Sequence, residues 1–123
     1  MSPARPDAPS PTTLDTAGLR DSAAVFAALG DETRLRLVAA LCAGGAMSIA
    51  QLTAGSAMTR QAVTKHLEVL SQAGLVRDSK AGRERLWQFE PAQLDAARRS
   101  LEAIGRQWDH ALMKLKLAVE QEH

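Results

Sequence analysis

The chain is poor in aromatic side chains: two tryptophans, two phenylalanines and no tyrosine in 123 residues. Its core must therefore be assembled mainly from Leu, Ala, Val and Ile, and a lean helical core of that kind often needs a second copy of itself to complete it. Cysteine is nearly absent, and the single Cys42 excludes an internal disulfide and any multi-cysteine metal site. No apolar run approaches the roughly 20 residues of a membrane-spanning helix. The opening MSPARPDAPSPTT lacks the apolar centre of a signal peptide, so the expected compartment is the cytoplasm and no membrane partner is expected. Proline is scarce beyond that opening: four of the five lie in residues 1–13, and the fifth is Pro91. Residues 1–13 carry no periodic apolar pattern and read as a disordered tail, with residues 14–123 as one domain. Catalytic signatures are missing too. There is no Gly-rich phosphate loop, no G-x-S-x-G and no H-E-x-x-H. Cys42 and His66, the one thiol–imidazole pair available, both fall in helices whose faces are assigned to packing. Neither an enzyme nor a cofactor is expected.

Strong net charge is also lacking, at +1, but its distribution is informative. Between Thr59 and Arg85 stand six basic residues (Arg60, Lys65, Arg77, Lys80, Arg83, Arg85) and three acidic ones (Glu68, Asp78, Glu84), a local +3. Nine basic and eleven acidic residues remain elsewhere, a net −2. A concentrated basic segment in a near-neutral chain is the footprint of a nucleic-acid surface.

Within that segment TRQAVTKHLEVL (59–70) reads as a helix with two different faces. Val63, Leu67 and Leu70 form an apolar stripe, while Arg60, Gln61, Thr64 and Lys65 lie off it and face outward. A helix held from behind that presents donors in front is what the DNA major groove requires, since base edges there are read by hydrogen-bonding side chains. Thr59 caps it and Gly74 ends it. A shorter helix from Ser48 to about Thr53 precedes it across the turn Ala54–Met58. A basic hairpin follows, with strands at Leu75–Arg77 and Arg85–Phe89 and a tip at Ser79–Gly82. Lys80 and Arg83 are placed to lie along phosphates. Arg85 shares strand parity with Trp87 and Phe89, which leaves open a place beside the core.

Upstream, a first helix covers about Asp21 to Leu29, with an earlier start near Leu14 left open; Val25, Phe26 and Leu29 give it an apolar face, and Gly30 stops it. Asp31 caps a second helix whose expected buried stripe is Leu35, Val38, Leu41 and Cys42. For Thr33, Arg34 and Arg36, DNA-backbone contact and pairing with Asp31 or Glu32 are equally open. His66 is expected to be half-buried and hydrogen-bonded. From Pro91 a last helix of roughly 30 residues carries Leu94, Ala97, Leu101, Ile104, Trp108, Leu112, Leu115 and Val119 at steps of three or four, far above the usual helix length. A small domain cannot cover all of that stripe, and the same helix of a second subunit is the natural cover. The expected fold class is mainly α with a small β-hairpin wing, a winged helix-turn-helix.

The runs FAALGDETRLRLVAAL (26–41), QAVTKHLEVLSQAGLV (61–76) and GRERLWQFEP (82–91), with the long final helix, together resemble the ArsR/SmtB family of bacterial transcriptional repressors over about Ala23 to Val119. The resemblance implies a homodimer built through the first and last helices, with Val25, Phe26, Leu101, Ile104, Trp108, Leu112 and Leu115 in its interface. It also implies binding of double-stranded operator DNA through Thr59, Arg60, Gln61, Thr64, Lys65, Lys80, Arg83 and Arg85, often with autorepression. The chain departs from the family's metal sensors. The segment matching the thiolate C-x-C pair, GAMSIAQL (45–52), has no cysteine. Asp109 and His110 are adjacent rather than spaced as Asp-x-His, with Glu120 and His123 following. Adjacent helical residues point about 100° apart and do not converge on one ion. No metal site is therefore expected, and an effector is left unidentified. A metal-gated sensor of the same fold and a winged-helix protein-interaction module are the alternative readings.

Overall fold

The computed structural model describes residues 16–121. The proline-rich residues 1–13 and His123 lie outside the described residues. Helix α1 (Thr16–Leu29) runs to Gly30, and Asp31 starts α2 (Glu32–Gly44) by accepting the Arg34 backbone N–H on its carboxylate at 3.0 Å. Strand β1 (Met47–Ser48) leads directly into the single-turn helix α3 (Ile49–Thr53). Helix α4 (Arg60–Gln72), strands β2 (Val76–Ala81) and β3 (Glu84–Phe89), and helix α5 (Pro91–Glu120) complete the chain. After α4, Gly74 adopts φ +78°, which lets the Leu75 N–H turn back onto the Leu70 carbonyl at 2.9 Å and aims the chain into the sheet.

The sheet is antiparallel, in the order β1-β3-β2. Strand β1 has no counterpart in the sequence reading. Two residues show no alternation to detect, and Ser48 also serves as the N-cap of α3. The hairpin tip is tighter than its composition suggests. Lys80 pairs with Arg85 and Ala81 with Glu84, so Ser79–Ala81 belong to β2 and the turn is Gly82–Arg83, with Gly82 at φ +65°. The exposed polar run Asp78–Ala81 looks like a loop by composition, but its backbone is claimed by β3.

Trp87, Leu41, Leu67, Leu70, Leu75, Val25 and Val63 are completely enclosed. Each fully buried aliphatic side chain contributes about 1.5–3 kcal/mol. Trp87 occupies the central strand, where sheet and helices close over it, although its Nε1–H finds no acceptor among the described residues. Two expectations for α2 are overturned: Leu35 and Cys42 are exposed, and Leu37 is buried in their place. The inward face of α2 is Arg34, Leu37, Val38 and Leu41, spaced i, i+3, i+4, i+7. Its first position is charged, which is why an apolar stripe drawn from sequence rotates away from it.

Helix α1 packs along the N-terminal part of α5. The contact is made by small residues: Ala97 and Ala103 are buried, and Ser22 Oγ lies 2.8 Å from Ser100 Oγ. Val25 is 1% exposed within one subunit, and Phe26 is partly buried against the same core. Val25 therefore belongs to the subunit's own core and is withdrawn from the expected dimer interface. The apolar stripe of α5 divides accordingly. Leu94 and Ala97 join the core, whereas Leu101, Ile104, Trp108, Leu112, Leu115 and Val119 are uncovered, from 43% exposed at Ile104 to 63% at Trp108.

Candidate nucleic-acid interface

Helix α4 is anchored by Val63, Leu67 and Leu70, each 1% exposed or less, and opens its other face to solvent. The turn before it is built locally. A capping box on α3 links Ser48 and Gln51 in both directions: the Ser48 N–H donates to Gln51 Oε1 at 2.8 Å, and the Gln51 N–H to Ser48 Oγ at 3.2 Å. That Ser-x-x-Gln signal stands in the sequence at residues 48–51. Gly55 at φ +74° reverses the chain, Ser56 Oγ accepts the Met58 N–H at 3.1 Å, and Thr59 Oγ1 accepts the Ala62 N–H at 3.0 Å to start α4.

The structure brings Arg60, Gln61 and Lys65 together on the exposed side of the first two turns of α4. Among the described residues they make no ion pair or side-chain hydrogen bond. The positive end of the helix dipole lies beside them. The two threonines act differently. Thr59 is the cap, and Thr64 Oγ1 donates to the Arg60 carbonyl at 2.8 Å, so its hydroxyl proton is engaged inside the helix.

On the wing, Lys80 and Arg83 are exposed and, among the described residues, unpaired. Arg85 is not equivalent to them. Its Nε donates to Asp78 Oδ2 at 2.7 Å across the hairpin, and its guanidinium lies 4.7 Å from the Trp87 ring centroid. It braces β2 against β3 and covers the core tryptophan, the place beside the core that its strand parity left open. Arg77 likewise meets Glu90 at 3.2 Å. Of the six basic residues in this segment, Arg60, Lys65, Lys80 and Arg83 have no ion-pair partner among the described residues.

The start of α2 carries internal pairs. Arg36 is paired with Glu32. Arg34 donates to the carbonyls of Ala28 and Ala27 at the end of α1, and its Nη1 reaches His66 Nδ1 on α4 at 3.3 Å. The Arg34 backbone N–H, reinforced by the Arg34 charge, holds the Asp31 carboxyl below its ordinary 3.8. His66 is half-buried and hydrogen-bonded, as expected. Among the described residues no group of three or more His, Cys, Asp or Glu is clustered to hold a metal ion, and no helix is long and apolar enough to cross a membrane.

Comparison with known proteins agrees with this geometry. The helix-turn-helix domain family matches residues 29–78, from the end of α1 into β2. The HTH-type transcriptional regulator Rv2034 of Mycobacterium tuberculosis is 37% identical over 95 residues, spanning 77% of this chain and 85% of that protein. An ArsR-like transcriptional regulator from Rhodococcus sp. RHA1 superposes with a TM-score of 0.76 at 37% identity, covering 84% of this chain and 96% of the other. The AntR antimony-specific transcriptional repressor superposes with a TM-score of 0.58 at 25% identity, covering 89% and 96%.

Proposed function

This chain belongs to the ArsR family of winged helix-turn-helix transcriptional regulators, DNA-binding proteins rather than enzymes, and we propose that it acts as a homodimeric repressor of the cytoplasm. In this reading residues 14–123 form one DNA-binding and dimerisation domain. The observation that carries the DNA contact is the two-sided α4. Its buried Val63, Leu67 and Leu70 fix it while Arg60, Gln61 and Lys65 project without internal partners. Arg and Lys match the acceptors of guanine, and Gln pairs bidentately with adenine. In this reading Thr59 donates its O–H to a phosphate at the helix start, and Lys80 and Arg83 track the backbone beside the groove.

The uncovered stripe of α5 supports the dimer. Six large apolar side chains over five turns of one helix exceed what a monomer leaves in water. Phe26, at the edge of the α1–α5 contact, completes the proposed interface. A two-fold axis then gives a near-palindromic operator with half-sites about 10 bp apart or a multiple of that. The test is a gel-shift titration on the chain's own promoter region and on scrambled duplex, with and without zinc. Tight, sequence-specific, zinc-indifferent binding is expected. Loss of the complex at stoichiometric zinc would instead favour a metal-gated sensor, and absence of any salt-sensitive duplex binding would favour a protein partner.

A further inference from the structure

Arg34 joins three helices. Its guanidinium closes the C-terminus of α1 through the Ala27 and Ala28 carbonyls, its backbone N–H is held by the Asp31 carboxylate at the head of α2, and its Nη1 meets His66 on α4 at 3.3 Å. Guanidinium has donors only, so His66 Nδ1 must supply a lone pair there and the imidazole proton sits on Nε2. The same Nδ1 lies 3.9 Å from Asp31 Oδ2, too long for a hydrogen bond and close enough to become one after a small movement. One ring nitrogen thus stands between a donor and an acceptor.

We propose that His66 is a positioning residue for α4 whose protonation exchanges its partner, so that operator specificity depends on pH. Neutral His66 accepts from Arg34 and ties α4 to the corner between α1 and α2. Protonated His66 cannot accept; it donates from Nδ1 to Asp31 and is repelled by Arg34. The step moves one proton from solvent to Nδ1 and replaces one hydrogen bond by another. His66 directly follows Lys65, and Arg60, Gln61 and Lys65 ride on the same rigid helix. A shift of α4 toward Asp31 therefore moves all three relative to the base edges.

The surroundings leave few other participants. Asp31 stays ionised through the range in which imidazoles titrate, and Glu32 is engaged by Arg36. Asp21 of α1 stands beside Gln72 and Ala73, at the other end of α4. Lys65 and Glu68 of α4 itself are exposed, and β2 behind the helix places its Arg77 against Glu90. Protonation adds positive charge near the DNA face, so sequence-independent affinity should not fall while specificity does.

This inference rests on the α4 reading given above, and its test separates the two. Anisotropy titrations of the full chain on operator and scrambled duplex, at fixed ionic strength from about pH 8 to pH 5, give the specificity ratio. In the wild type the ratio should fall as pH falls, by roughly 5- to 150-fold, the equivalent of one good base contact. His66→Asn keeps an acceptor for Arg34 and does not titrate, so its ratio should stay flat although His110 and His123 remain. A pH-independent wild-type ratio, or a His66→Asn ratio that falls like the wild type, overturns the inference alone. No operator preference at any pH overturns the α4 reading and this inference with it. Nitrogen NMR of the DNA-free wild type is independent of both: Nδ1 should be unprotonated and Nε2 protonated above neutral pH, and the opposite tautomer overturns the inference.

Discussion

Replacing Trp108 by alanine should dissociate the dimer without unfolding the subunit. Trp108 is 63% exposed in one subunit, and a tryptophan offers up to about 250 Å², so about 160 Å² is available for a partner to cover. At about 25 cal/mol per Å² this is worth at most about 4 kcal/mol per side chain, and a two-fold interface carries two. Alanine keeps part of that area and the interface relaxes, so a net loss of about 4 kcal/mol is a sober expectation. That is close to a 10³-fold rise in the dimer dissociation constant, at about 1.4 kcal/mol per decade. Sedimentation velocity over a micromolar dilution series reads the change directly. Tryptophan emission gives a second view, because Trp87 is already enclosed and only Trp108 can shift on dilution. Helical circular dichroism should be unchanged, since Trp108 is outside the core cluster. Leu35→Ala, an exposed leucine on α2, is the control and should leave the dimer intact. A Trp108→Ala protein that sediments as the wild type does, or a Leu35→Ala protein weakened as much, would refute the assignment of α5.

Arg60→Ala and Gln61→Ala should each weaken operator binding by about 1–3 kcal/mol with the dimer intact; unchanged affinity in both removes α4 from the groove. Lys80→Ala and Arg83→Ala should each lower the slope of log affinity against log salt by about one, with little effect on sequence preference. Arg85→Ala should leave that slope alone and lower the unfolding midpoint, because it removes the Asp78 bridge and the cover on Trp87; a slope change equal to that of Lys80→Ala would assign Arg85 to the DNA contact. Gly74→Ala forces a side chain into φ +78°, with its Cβ 2.7 Å from Gln93 Cγ. Gln93 is exposed and can yield, so the backbone strain of about 1–2 kcal/mol should dominate the loss in urea unfolding; a neutral result would mean that the cap is not held as described. For acid stability, the Asp31 carboxyl is depressed below 3.8 by the Arg34 N–H bond, so its charge stabilises the fold fully above 3.8 and is lost as pH falls through the folded value. Asp31→Asn retains the cap without the charge; its deficit against wild type in urea midpoint should be present at pH 7 and narrow below 3.8, whereas a constant deficit would assign it to geometry alone.

The order of the elements and the two-sided character of α4 are legible in the residues alone. Val63, Leu67 and Leu70 announce the buried face of α4 because helical periodicity is a local property, and Thr59 and Gly74 mark its ends, as Asp31 and Ser48 mark the starts of α2 and α3, because caps act within one turn. The 30-residue length of α5 was legible for the same reason. Which charges and which apolar residues are already engaged depends on contacts between elements. Val25 reads as a face residue and proves to be core. For Arg85 the sequence leaves a DNA contact and a place beside the core both open, and the structure pairs it with Asp78 and lays it over Trp87. Arg34 reads as surface and takes the first place on the inward face of α2, displacing Leu35 and Cys42 into solvent. In each case the partner is distant in sequence or on another element, and whether a side chain is satisfied inside the fold depends on how separate segments meet, which no local pattern encodes.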